Sequence, residues 1–125
     1  MEEQKTVALI AHDGKKQAML DFARKHREVL ERYELIATHT TGKMLRDDVG
    51  LSVQLMLSGP IGGDAQIAAQ VAEGKIEAVF FFIDPLTSQP HDPDINTLLR
   101  ICNVHEVPIA TNPATALFVI SARAL

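Results

Sequence analysis

The chain has 125 residues, 46% of them hydrophobic and 22% charged, with a formal net charge of −4; this suits one globular core and excludes a disordered chain. No apolar run approaches the roughly 18–20 residues of a membrane-spanning helix, and the polar start Met1-Glu2-Glu3-Gln4-Lys5 lacks the pattern of a signal peptide. With no Trp, one Tyr and an acidic balance, there is neither a basic stripe nor a stacking platform for nucleic acid, and a lone Cys102, unable to form an internal disulfide, fits a reducing, cytoplasmic setting.

Two hydrophobic periods alternate along the chain. Thr6 to Ala11 is a short apolar run of strand formers that stops at His12-Asp13-Gly14. Met19, Phe22, Ala23, His26, Val29, Leu30 and Tyr33 then follow the spacing of one helical face. Leu35 to Thr38 predicts a second strand, Gly42 to Val49 a short helix closed by Gly50, and Val53 to Leu57 a third strand. After the loop Ser58-Gly59-Pro60-Ile61-Gly62-Gly63, a helix begins at Asp64, turns Ile67, Ala68 and Val71 inward, and stops at Gly74. Ala78 to Ile83 is apolar without alternation, as expected of a strand covered on both faces. A polar connection with three prolines, Asp84 to Pro93, leads to a helix from Asp94 with Ile95, Leu98, Leu99 and Cys102 on one face. A last strand near Ile109-Ala110-Thr111 precedes a helix from Pro113. Five strand–helix pairs predict an α/β three-layer sandwich around a five-stranded, mostly parallel sheet. Periodicity leaves the strand order open.

The reactive side chains gather where the strands end, the edge at which open α/β sheets bind ligands. Thr38, Thr40 and Thr41 with Gly42 offer hydroxyls and closely spaced amides at a helix mouth, which suits a phosphate; capping alone accounts for one threonine. Lys16, one turn into the first helix, is placed to reach the same anion, and Ser58-Gly59 with Gly62-Gly63 allows close backbone approach. That loop matches neither a Walker A nor a dinucleotide fingerprint. Asp13, Asp64 and Asp94 stand at helix starts, where capping is the plainer explanation for any one of them. His91-Asp92-Pro93-Asp94 carries hard ligands but fits no zinc or calcium spacing. An aspartate and a histidine beside a phosphate cradle are what proton abstraction next to a carbonyl requires. His26, His105 and Cys102 read as structural.

Ala8-Leu9-Ile10-Ala11-His12-Asp13, Thr40-Thr41-Gly42, Leu57-Ser58-Gly59-Pro60, Gly62-Gly63-Asp64, Asp84-Pro85-Leu86 and Pro90-His91-Asp92-Pro93-Asp94 together resemble the methylglyoxal synthase family. The resemblance runs in register from about Val7 to Thr115 and predicts one such domain over 1–125. It implies a lyase that converts dihydroxyacetone phosphate to methylglyoxal and inorganic phosphate, as a bypass of glycolysis. It also implies no metal or organic cofactor, phosphate as product and inhibitor, a homohexamer, and no nucleic-acid or membrane partner. By the same resemblance Asp64 is the catalytic base, His91 works on the carbonyl and hydroxyl oxygens, and Asp94, with Asp13 and Asp84 further off, shapes the field and holds His91. Lys16, Thr38, Thr40, Thr41, Ser58 and Gly59 would hold substrate, mainly its phosphate, joined by His12.

Two positions depart from the family pattern. His39 stands where glycine is usual between the first threonines, and a positive φ there would strain it. The chain also ends at Leu125 without the extension that supplies an arginine in some relatives, which leaves Arg100 or Arg123 as substitutes. The rival functions are a non-catalytic phosphate- or effector-binding module, as the same fold serves in carbamoyl phosphate synthetase, and a metal-dependent phosphatase.

Overall fold

The computed structural model describes residues 5–124, with side chains through Ser121. Five strands, β1 (Thr6–Ala11), β2 (Glu34–Ala37), β3 (Val53–Leu55), β4 (Ile76–Phe82) and β5 (Ile109–Ala110), form one sheet in the order β3-β2-β1-β4-β5. Every pairing is parallel. The helices are α1 (Lys16–Lys25), α2 (Arg27–Leu30), α3 (His39–Val49), α4 (Gly63–Ala72), α5 (Asp92–Val104) and α6 (Pro113–Ala124).

Alternation along the strands divides the interior into two layers. Val7, Leu9 and Ala11 of β1 with Ala78, Phe80 and Phe82 of β4 face Met19 and Phe22 of α1, Leu45 of α3 and Ile120 of α6. Ala8 and Ile10 with Val79 and Phe81 face Ile67 and Val71 of α4 and Leu98 and Cys102 of α5. Both inner strands are thus covered on two sides, which is why the β4 sequence is apolar throughout. Cys102 is fully buried and burial pushes its thiol up to about 11, so it packs as a small apolar side chain. No helix among the described residues is long and apolar enough to cross a membrane.

Several boundaries differ from the sequence-based expectation. The stripe from Met19 to Tyr33 is divided at His26, whose φ of −114° and ψ of 25° leave the helical region. The stripe persists because α2 carries Leu30 into the same layer. Arg27 ties this second piece to the end of α3, donating from Nε to the Val49 carbonyl (3.0 Å) and from Nη2 to the Gly50 carbonyl (3.2 Å), where a cation is favoured by the helix dipole. Helix α3 begins at His39, three residues before the predicted start, so Thr40, Thr41 and Gly42 lie in its first turn. Threonine has low helix propensity, and packing overrides it: an added Cβ on Gly42 would lie 2.3 Å from Leu55 Cδ2 and 3.2 Å from Ala37 Cβ. Helix α5 likewise begins early, at Asp92, with Pro93 in its first turn, where a missing N–H costs nothing.

The strand order has a functional consequence. From β1 the chain winds outward through β2 and β3, then returns to the other side of β1 as β4, so a topological switch point opens between the carboxyl ends of β1 and β4. The His12 amide donates to the Phe82 carbonyl (3.1 Å) and joins the two ends. Phe81, one residue earlier and fully buried, supports this edge from the α4–α5 layer. Phe81→Ala is expected to cost ~3–5 kcal/mol, the range for removing a buried phenyl group, measured as a lowered urea midpoint with an unchanged slope.

Candidate active site

A pocket of about 280 Å³ opens at the switch point. The turn after β1 supplies His12, Asp13 and Lys16 to its lining; the start of α3 supplies Thr38 and Thr40. Ser58, Gly59, Pro60 and Asp64 come from the segment after β3, and Gln89 and His91 from the connection after β4. Residues from four strand ends, far apart in the chain, therefore share one cleft.

Asp64 occupies the first turn of α4 with 0% of its surface exposed. No side chain makes a capping bond at this helix, and neither carboxylate oxygen of Asp64 has a hydrogen-bond partner in the protein. Capping therefore does not explain the residue. The Nε2 of His91 lies 3.4 Å from Asp64 Oδ2, an ion pair when the imidazole is protonated. Burial pushes the Asp64 carboxyl up to about 6; the field of Asp94 adds to the rise, while His91 and Lys16 oppose it. Gly59 makes the approach of His91 possible, since a Cβ there would come 2.6 Å from Nε2. Gly63 is constrained more severely: a Cβ would sit 1.9 Å from the Leu57 carbonyl oxygen.

Other groups in and around the pocket lining are suited to an anion. Lys16, largely buried, donates to the Ala11 carbonyl and lies 3.6 Å from Asp13. Burial lowers its pKa, against the pull of Asp13. Thr38 is the residue before α3, with an extended backbone and no side-chain cap bond, and Ser58 stands in the same relation to the 3-10 turn Gly59–Ile61. Neither hydroxyl is used to cap its own turn. The amides of Thr40 and Thr41 belong to the first turn of α3, and that of Gly59 opens the 3-10 turn, positions without intrahelical acceptors. Thr41 itself is fully buried and is not in the lining; its hydroxyl donates to the Ala11 carbonyl and accepts from Thr38, both at 3.5 Å, so its side chain lies beneath the pocket floor.

The remaining candidates are dispersed. Asp94 lies in the first turn of α5, outside the lining, and reaches the site through its field on Asp64. Asp84 does not bond to His91: its Oδ1 accepts from the Leu86 amide (3.0 Å), while its own amide donates to His12 Nδ1 (2.9 Å). Thr111 and Asn112, after β5, are not in the lining, and Asn112 caps α6 through the Thr115 amide (2.9 Å). Arg100 is exposed on α5, and the side chain of Arg123 lies outside the described residues. His39 is exposed, outside the lining, and free of strain, since the only non-glycine residue with positive φ among the described residues is Glu106.

Two lining or supporting glutamines escaped the sequence reading. Gln89 lines the pocket from the β4–α5 connection; its place just before Pro90-His91 was the available signal. Gln66 accepts the Leu57 amide at 2.7 Å and so ties α4, which carries Asp64, to the strand exit that leads to Ser58. Among the described residues no three His, Cys, Asp or Glu side chains converge as metal ligands. A larger open cleft of about 1180 Å³ lies at the opposite end of the sheet, lined in part by Lys5, Glu34, Lys75 and Glu77. Lys5 and Lys75 are exposed there and pair with Glu77 and Glu73. Size alone favours that cleft, but the buried unpartnered atoms of His12, Asp64 and His91 belong to residues of the smaller one.

Fold and site define the class: a doubly wound parallel α/β protein with a buried carboxylate, two histidines and an anion cradle at its switch point. The chain belongs to the methylglyoxal synthase family, the family model for an MGS-like domain matching residues 18–111. It is 58% identical over 125 residues to a methylglyoxal synthase of Ralstonia nicotianae, covering 100% of this chain and 93% of the relative. A methylglyoxal synthase of Carboxydothermus hydrogenoformans is 60% identical over 110 residues, 88% of this chain and 91% of the relative. The crystal structure of methylglyoxal synthase from Elizabethkingia anophelis superposes with a TM-score of 0.90 at 44% identity, covering 97% of this chain and 80% of that one.

The elevated Asp64 pKa has a stability signature. The folded protein keeps a proton that the unfolded chain releases between 3.8 and about 6, so stability falls as pH rises through that window. Above it the buried charge disfavours the fold by ~3 kcal/mol. Asp64→Asn is therefore expected to raise the thermal midpoint at about pH 8, with the advantage vanishing by about pH 4, as followed by calorimetry. An equal or lower midpoint for the variant at the higher pH contradicts the cause assigned here.

Proposed function

We propose that the chain is a methylglyoxal synthase that converts dihydroxyacetone phosphate to methylglyoxal and inorganic phosphate in the pocket between β1 and β4. The observation that carries this reading is the carboxylate of Asp64, buried without a hydrogen-bond partner in the protein, its pKa pushed up to about 6, and 3.4 Å from His91. A base of that strength is ionised at neutral pH yet basic enough to be effective. The name shared by relatives at 55–60% identity over most of the chain supports it.

Asp64 takes a proton from the carbon bearing the free hydroxyl, on the side of the carbonyl away from the phosphate ester, and the electron pair moves toward the carbonyl oxygen to form an enediolate. His91 supplies and redistributes protons at the two oxygens. The enediolate electrons then expel phosphate: the carbon–oxygen bond to the ester breaks, its electron pair leaves with phosphate, and the enol that remains becomes methylglyoxal. Expulsion requires the breaking bond to stand perpendicular to the enediolate plane, where its antibonding orbital overlaps the π system. Lys16, the hydroxyls of Thr38, Thr40 and Ser58, and the amides of Thr41 and Gly59 hold the phosphate, and so select this product through orientation as much as affinity. His12 joins this set, and Asp94 tunes Asp64. The further elements of the reading are a single domain over 1–125, a cytoplasmic homohexamer accessible to light scattering, and inhibition by inorganic phosphate.

The test is a colorimetric assay for methylglyoxal from dihydroxyacetone phosphate with chelator present. Methylglyoxal is the expected product. Phosphate binding without product would support a regulatory module instead, and dihydroxyacetone formed only without chelator would support a metal-dependent phosphatase. Asp64→Asn is expected to lower kcat by at least ~10²–10⁴-fold, the usual contribution of a general base, with wild-type circular dichroism. Near-normal turnover of the purified variant would remove Asp64 from that role.

A further inference from the structure

We propose that His12 meets the substrate only as a hydrogen-bond donor, a neutral imidazole with its proton on Nε2, because the backbone after β4 occupies its other nitrogen. This rests on the reading of the pocket as the active site and adds a division of labour between its two histidines.

The geometry leaves little choice of tautomer. The Asp84 backbone N–H lies 2.9 Å from His12 Nδ1, and a main-chain amide can only donate, so Nδ1 must present a lone pair. A proton on Nδ1 would set two N–H groups against each other. The amide is anchored on both sides: the preceding Ile83 amide donates to the Thr111 carbonyl at 3.2 Å, and Asp84 Oδ1 accepts from Leu86 at 3.0 Å. The imidazole is packed edge-on against Phe81, with ring centroids 5.2 Å apart and planes at 84°. Nε2, the remaining nitrogen, is buried and has no partner in the protein.

The surroundings also oppose a second proton. Burial lowers the pKa of His12 below 6.5, and the charges of His91, from the start of α5, and Lys16, from α1, lower it further; Asp84 and Asp92 act against them. The result is a ring with a donor at Nε2 and no lone pair to accept with. It can support a ligand oxygen but cannot take a proton from carbon or oxygen, so proton movement is left to Asp64 and His91. His91 differs in the relevant respect: no hydrogen bond in the protein fixes its Nδ1, and its Nε2 faces a carboxylate.

Long-range proton–nitrogen correlation NMR of the 15N-labelled, unliganded full chain reads the tautomer directly, with His12 identified by the signals lost in His12→Gln. At neutral pH the expected spectrum shows a bare Nδ1 and a protonated Nε2, with a titration midpoint below 6.5, the same pattern persisting when inorganic phosphate is added. A protonated Nδ1, alone or together with Nε2, overturns the proposal. Because the spectrum needs no turnover, it is independent of the methylglyoxal assay. The activity arm uses the same variant, whose side-chain amide still donates: His12→Gln is expected to lower kcat/KM while both limbs of the pH–rate profile stay in place. A limb that moves or disappears would mean that His12 itself titrates in the reaction, and would also overturn it.

Discussion

Burying a carboxylate without a hydrogen bond is unfavourable, and the remainder of the site is arranged around that cost. Asp64 sits fully buried in the first turn of α4, where an ordinary helix-start aspartate would turn outward and bond to its own backbone. Here both oxygens are withheld from such a bond. Desolvation raises the pKa, and the same desolvation leaves the group as a base of useful strength rather than a solvated counter-ion. His91 and Lys16 moderate the effect, so that the acid is not so weak that it stays protonated at neutral pH.

Close approach between segments is what makes so small a pocket possible. Gly63 lies against the Leu57 carbonyl, Gly59 against the His91 ring, and Gly14 against the Asp84 carboxylate. In each case a methyl group would push one wall away from another. The first two contacts join the segment after β3 to α4 and to the β4–α5 connection, which sets Asp64, His91 and the Gly59 amide close to one another. Preorganisation of this kind is needed when the outcome depends on the dihedral angle of a single bond in the substrate.

How much of this was legible in the chain varies with the distance over which the deciding contact acts. The β4 run announces a strand buried on both faces, and Gly50, with φ of 78°, ends α3 as its position suggests. The division at His26 was not legible, because the apolar stripe continues through it and the tether comes from Arg27 reaching the end of another helix. The three threonines illustrate the same limit. Their spacing marks a place for an anion, but only the packing of β1 against α3 turns Thr41 under the floor while Thr38 and Thr40 remain in the lining.

By itself the sequence determined the alternation of elements, the parallel sheet, the edge at which polar residues collect, and the motifs that mark the family, because each is written in local periodicity or in short runs of residues. Tertiary structure alone decided the strand order, and with it the position of the switch point; it also decided that Asp64 has no hydrogen-bond partner in the protein, that Gln66 and Gln89 serve the site, and that an amide 72 residues away occupies His12 Nδ1. These depend on which surfaces meet when the two hydrophobic layers close on the sheet, and no pattern confined to neighbouring residues carries that information.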